Sequence, residues 1–181
     1  MKTFNTWVTA DLHFGHKNIM KFNPNTRQYT DVDHMDNMIV QGWNASVAEN
    51  DLVYILGDVA FCNAQKATQF MRRCNGRKIL IEGNHDHKNL QDAAFRAEFE
   101  EVHIYHEITH DSNKICLFHY PVLEWNQCHR GALHLFGHQH GNGGPMPCRS
   151  MDVGMDATGN IVTNMDDIVR TLLKKPMQGH H

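Results

Sequence analysis

Apolar and polar positions along the chain follow two periods. Short runs rich in branched residues lie at 7–10, 52–56, 78–81, 114–118 and 132–136, and each reads as a buried strand. Residues 31–48 instead carry Val32, Met35, Met38, Ile39 and Trp43 at helical spacing, with Asp31 or Asp33 placed to cap the helix. Residues 63–74 repeat that pattern, with Asn63 as cap and Gly76 as terminator. Residues 101–106 alternate like a strand, and 141–147 form a Gly- and Pro-rich loop. Closing strands are expected at 151–153 and 161–163, then a last helix at 166–175 with Lys174 and Lys175 near its negative end. The interleaving predicts an α/β or layered α+β domain.

A chain of 181 residues can bury a full core as one domain, here expected over residues 1–176. Residues 177–181 are expected to be a tail or tag remnant, since His180 and His181 follow Gln178 and Gly179 there. The net charge of −3 gives no global basic field, which counts against a protein that holds nucleic acid mainly by electrostatics. Neither a basic leader nor an apolar run long enough to span a membrane is seen, so the expected location is cytoplasmic with no membrane partner. The five cysteines are odd in number and never form a CxxC pair, which argues against a disulfide framework and a zinc ribbon.

The residues that follow the apolar runs change this picture. The first run leads into Asp11-Leu12-His13, the second into Gly57-Asp58, and the third into Gly83-Asn84-His85-Asp86. The fourth ends at His119 and the fifth at Gly137-His138-Gln139-His140. Each polar residue alone has an ordinary role as a turn former or a core histidine, but five such endings in succession point to one crevice at the carboxyl ends of the strands. Asp11 with His13, and His138 with His140, lie two apart and would project to the same side of an extended chain. Oxygen and imidazole donors without thiolate suit Mn²⁺, Fe, Zn²⁺ or a similar ion. Asp11 and Asp58 bring two negative charges, so two divalent ions leave a positive site that a phosphate ester and a hydroxide would balance.

In this order the motifs DxH, GD, GNHD, H and GHxH resemble those of the calcineurin-like metallophosphoesterases, and the phrases "DLHFGHKNI", "FHYP" and "SMDVGMD" resemble the small prokaryotic and phage branch. The resemblance implies a four-layer αββα sandwich of two mixed sheets flanked by helices. It implies that Asp11, His13, Asp58 and His140 hold one metal, and that Asn84, His119, His138 and the shared Asp58 hold the second. Two divalent cations are implied, Mn²⁺ first, with Fe, Ni, Zn, Co or Mg as substitutes. Hydrolysis of phosphate mono- or diesters would then proceed by attack of a metal-bridging hydroxide. His85 would assist the leaving group, with Asp86 or Asp58 orienting it. The GD motif runs on into Val59-Ala60-Phe61 rather than the DRG segment of protein serine/threonine phosphatases, which counts against phosphoprotein substrates.

His16 and Arg27 are further candidates for contact with substrate, Arg27 because its planar fork matches phosphate oxygens; surface positions explain both equally well. Specificity is expected in residues 14–30 and 141–149. The expected partner is a small phosphate ester or nucleotide. The alternatives are a nuclease or cyclic-nucleotide phosphodiesterase of the same family and an inert binding module, although no ligand is missing. His106-Glu107-Ile108-Thr109-His110 spells the HExxH of zinc peptidases, but the context is strand-like, where the two imidazoles would stand roughly 13 Å apart.

Overall fold

The computed structural model describes residues 4–144, 146, 148–177 and 179; His180 and His181 lie outside the described residues. In chain order the strands are β1 (Thr6–Thr9), β2 (Leu52–Ile55), β3 (Arg77–Ile81), β4 (Glu101–His103), β5 (Tyr105–His110), β6 (Asn113–Phe118), β7 (Leu133–Phe136), β8 (Ser150–Asp152) and β9 (Thr163–Asn164). The helices are α1 (Ile19–Phe22), α2 (Val32–Ser46), α3 (Ala64–Arg73), α4 (His87–Leu90), α5 (Ala93–Arg96), α6 (Met155–Thr158) and α7 (Met165–Leu173).

One sheet has the order β4-β3-β2-β1-β9, parallel except for β9, and the other has the order β5-β6-β7-β8, parallel except for β5. Between the sheets Val8, Leu56, Ile79 and Ile81 pack with Ile115, Leu117, Leu133 and Leu135, closed by Ile168 and Leu172 of α7. On the outer face of the first sheet, Val53, Ile55 and Leu80 share a cluster with Trp43 of α2, Phe70 of α3 and Phe95 of α5. Both faces of the central strands are covered, which is why the runs are continuously apolar rather than alternating. Two mixed sheets flanked by helices agree with the layered architecture expected from the motifs. Over the second sheet the cover is short: Trp125, Cys128 and Ala132 at the 3₁₀ turn Cys128–Arg130 lie on Cys116.

Local signals place the long helices. The Asp31 carboxylate accepts the His34 N–H at 2.8 Å and the Asn63 side-chain oxygen accepts that of Lys66 at 2.9 Å, so each caps its helix. The stretch expected as one strand at 101–106 divides at the exposed Ile104: β4 pairs with β3, and β5 with β6 in the other sheet. His106 and His110 both lie on β5, so the helical face that HExxH chemistry needs is absent. The cysteines are all free thiols. No helix among the described residues is long and apolar enough to cross a membrane.

Candidate metal centre

The carboxyl ends of β1, β2 and β3 meet those of β6 and β7 at one cleft: of the seven expected ligands His13, Asp58, Asn84, His138 and His140 line it, and Asp11 and His119 lie buried directly behind them. Donor atoms of Asp11, His13 and His140 lie within 4.8 Å of one another, as do those of Asp58, His119 and His138. Asp58 stands between the two groups: its Oδ2 is 3.5 Å from His13 Nε2 and its Oδ1 is 3.7 Å from His119 Nε2. The Asn84 side-chain oxygen lies 3.0 Å from both His119 Nε2 and His138 Nδ1.

The backbone aims these side chains in a way the sequence did not suggest. Asp11 (φ 57°), His13 (φ 52°), Asp58 (φ 55°), His138 (φ 70°) and His140 (φ 50°) occupy the left-handed region. The DxH and HxH pairs therefore converge through tight left-handed turns, not through the alternation of an extended strand. Each such residue costs about 1–3 kcal/mol, held in place by the surrounding structure. Part of that structure is amide bonding across the cleft: the Asp11 N–H donates to the Gly57 carbonyl (3.0 Å), and the His138 N–H donates to the Asp11 carboxylate (2.9 Å).

Gly83 shows how close the motifs come. A Cβ there would stand 2.4 Å from Asp58 Oδ1 and 2.5 Å from the Asp58 nitrogen. Gly83→Ala must therefore displace the one carboxylate that touches both groups. The expected outcome is a variant that folds with a lowered melting temperature and retains fewer ions by metal analysis; wild-type metal content would rule this packing out.

Two imidazoles are fixed with a lone pair toward the cleft. His119 Nδ1–H donates to the Leu56 carbonyl at 2.7 Å, and His140 Nδ1–H donates to the Asp156 carboxylate at 2.7 Å, so in the neutral ring each Nε2 is the atom free to act as a ligand. His13 Nε2 is buried with no hydrogen-bond partner, although it faces Asp58. Burial drives the His13 pKa down to about 2, with the charges of His140 and Arg27 adding, and burial also lowers that of His119. Burial raises the Asp11 carboxyl well above its ordinary range, and the neighbouring Asp152 and Asp58 carboxylates push the same way. Neutral imidazoles, crowded buried carboxylates and an orphaned ring nitrogen together fit divalent cations, which take deprotonated ligands and neutralise clustered acids.

The remaining candidates divide. His85 lies at the open edge with a side chain 40% exposed; its N–H donates to Asp58 Oδ1 at 3.0 Å and its Nε2 is 3.9 Å from Asp58 Oδ2. Asp86 does not orient it. The buried Asp86 carboxylate accepts the N–H groups of Asp58 (2.8 Å), Val59 (2.9 Å) and Gly83 (2.9 Å), so it braces the GD loop against the GNHD loop. His16 stands at the rim, stacked on Phe61 with ring centroids 4.1 Å apart. Arg27 is neither a phosphate clamp nor a surface residue: it is 1% exposed and its fork is consumed inside the protein. Its Nε and Nη2 donate to Asp156 at 2.8 Å each, Nη1 donates to the Leu12 carbonyl at 2.9 Å, and Nη2 donates to the Asp11 carbonyl at 2.5 Å.

Asp152 and Asp156 were missed as functional residues. Asp156 joins Arg27, His140 and Thr26, while Asp152 accepts the N–H groups of Gly141 (3.0 Å) and Gly154 (2.8 Å) beside Asp11. The signal was the phrase "SMDVGMD" after the last histidine motif, with its two acids four residues apart.

No family model matches the chain. It is 30% identical over 138 residues to the uncharacterized protein MJ1445 of Methanocaldococcus jannaschii, covering 75% of this chain and 69% of the relative. It is also 30% identical to the gene 66 protein of Mycobacterium phage L5, over 88% of this chain and 90% of that one. Among solved structures, the protein of unknown function AQ665 from Aquifex aeolicus superposes with a TM-score of 0.70 at 20% identity, over 93% of this chain and 100% of that chain, and shares the fold. The chain is thus related across most of its length to an archaeal and a phage protein, and it brings DxH, GD, GNHD, H and GHxH, a set that resembles the motifs of the calcineurin-like metallophosphoesterases, into a single cleft.

Proposed function

We propose that the chain hydrolyses phosphate esters at a centre of two divalent cations. The observation that carries this reading is the gathering of seven oxygen and imidazole donors into two groups bridged by Asp58. Asp11, His13, His140 and Asp58 would hold one cation, and Asn84, His119, His138 and Asp58 the other, with Mn²⁺ well suited to the donor set. When bound, such cations supply positive charge for the phosphoryl oxygens and lower the pKa of water toward neutrality.

The chain's own groups do the rest. Leu56 and Asp156 hold His119 and His140 in the tautomer that accepts a cation. Asp58 fixes the His85 backbone, which sets the imidazole at the mouth of the cleft, where it delivers a proton to the leaving oxygen. His16, held against Phe61 at the rim, is within reach of a bound ester.

The test is metal analysis of the Mn²⁺-loaded chain together with assays on an aryl phosphomonoester, an aryl phosphodiester, and single-stranded DNA and RNA. Two ions per chain and turnover of a small ester, abolished by chelation, are expected; preferred cleavage of the nucleic acids would favour a nuclease instead. A chain that binds no ion in saturating Mn²⁺ would show an inert module. His85→Ala should keep both ions while its rate falls about 10²–10⁴-fold, the range of a general acid. Unchanged turnover in that variant would remove His85 from the reaction.

A further inference from the structure

Beside the metal cleft lies a second cavity of about 600 Å³, within the size range of ligand sites. Asn84 and His85 line both, so the two hollows share a wall. The rest of the lining includes Phe61 and Asn63, just before α3, and Lys88 and Asn89 of α4. On the phosphoesterase reading, His85 delivers its proton to the leaving oxygen, so the cavity on the other side of His85 is where the leaving alcohol goes.

Its lining specifies what that alcohol carries. Phe61 is 49% exposed, yet its ring is fixed: it stacks on His16 and meets the His85 ring edge-on with centroids 5.0 Å apart. Its backbone N–H is tied to the Phe14 carbonyl at 2.8 Å. A rigid half-exposed ring at the mouth of a cavity is a stacking platform for another planar ring. The polar atoms around it suit a heteroaromatic edge. Asn63 uses its side-chain oxygen on the Lys66 N–H, and Asn89 uses its amide nitrogen on the Cys62 carbonyl. That leaves an amide donor on Asn63 and an amide acceptor on Asn89. Lys88 adds a cation at the rim for an anionic substrate.

We propose that this cavity is a leaving-group subsite for a nucleobase-sized heteroaromatic ring, with Phe61 as its stacking platform, so that nucleoside phosphates are favoured over compact phosphate esters. The proposal rests on the phosphoesterase reading for the direction of the leaving group. It also places specificity in residues 61–63 and 84–89, with His16 of the segment 14–30 stacked behind the Phe61 ring.

The experiment is calorimetric binding of adenosine 5′-monophosphate and of ribose 5-phosphate to the Mn²⁺-loaded chain, with hydrolysis of both measured in parallel. The nucleotide should bind about tenfold more tightly, the scale of one base–aromatic stack. Phe61→Ala and Phe61→Leu, the second of which keeps bulk without the ring, should both erase that preference, and Phe61→Trp should retain it. Equal affinity for the two ligands in the wild type, or a preference that survives both ring-removing variants, overturns the subsite. Nucleotide binding through Phe61 without turnover of any ester would leave the subsite standing and remove the phosphoesterase reading. Equal turnover of both esters without a binding preference would do the reverse.

Discussion

Asp58→Asn should cost more than a hundredfold in turnover and strip ions from both halves of the centre. Losing an outer partner of a metal ligand typically costs about 10–100-fold, and Asp58 is the group that faces both donor sets. Its two oxygens are divided between them, Oδ2 toward His13 and Oδ1 toward His119, and Oδ1 also accepts the His85 N–H. An amide preserves size and tolerates the left-handed backbone at position 58, so the fold should survive while one oxygen becomes a nitrogen donor facing imidazoles. Metal analysis with a thermal melt separates the two effects. A variant that keeps two ions per chain would remove Asp58 from its bridging position.

The second large effect concerns stability. Arg27→Met should destabilise the chain by about 3–5 kcal/mol, because it leaves the buried Asp156 carboxylate without its charged partner. For a chain of this size each kcal/mol lowers the melting temperature by about 2–4 °C. The double variant Arg27→Met/Asp156→Leu should recover part of the loss, since neither charge is then left alone. A single variant that melts with the wild type would contradict the assignment.

The pH dependence has a definite sign. Burial pushes the Asp156 carboxyl up, but hydrogen bonds from His140 and Arg27 and the charge of Arg27 outweigh it and hold the folded value well below the usual carboxylate range. Its contribution is therefore complete above the unfolded carboxylate pKa and is lost only as pH falls through the lower folded value. In Arg27→Met that acid-side loss should begin at higher pH.

What could be read from the sequence was what local chemistry writes there. Apolar runs followed at once by DxH, GD, GNHD, H and GHxH marked both the strands and the residues that gather at the cleft, because a strand end fixes where the next side chain lies. Asp31 and Asn63 announced their helices because a cap acts within three residues. Arg27 and Asp156 were misread or missed because each acquires its meaning only from the other, 129 residues away. Asp86 looked catalytic because it adjoins His85 in sequence, whereas its carboxylate turns inward to three amides. The crossing at Ile104 carries no Gly or Pro to mark it; the two sheets claim neighbouring residues of one apolar-alternating stretch.

Left-handed main-chain geometry at five donors has a kinetic consequence. A cation entering this cleft finds its partners already aimed, because dihedral angles rather than long pliable side chains hold them. Capture is then paced by the ion, by how readily it sheds its hydration shell. Mg²⁺, which gives up water reluctantly, should load slowly, and softer first-row ions should fill the centre before it.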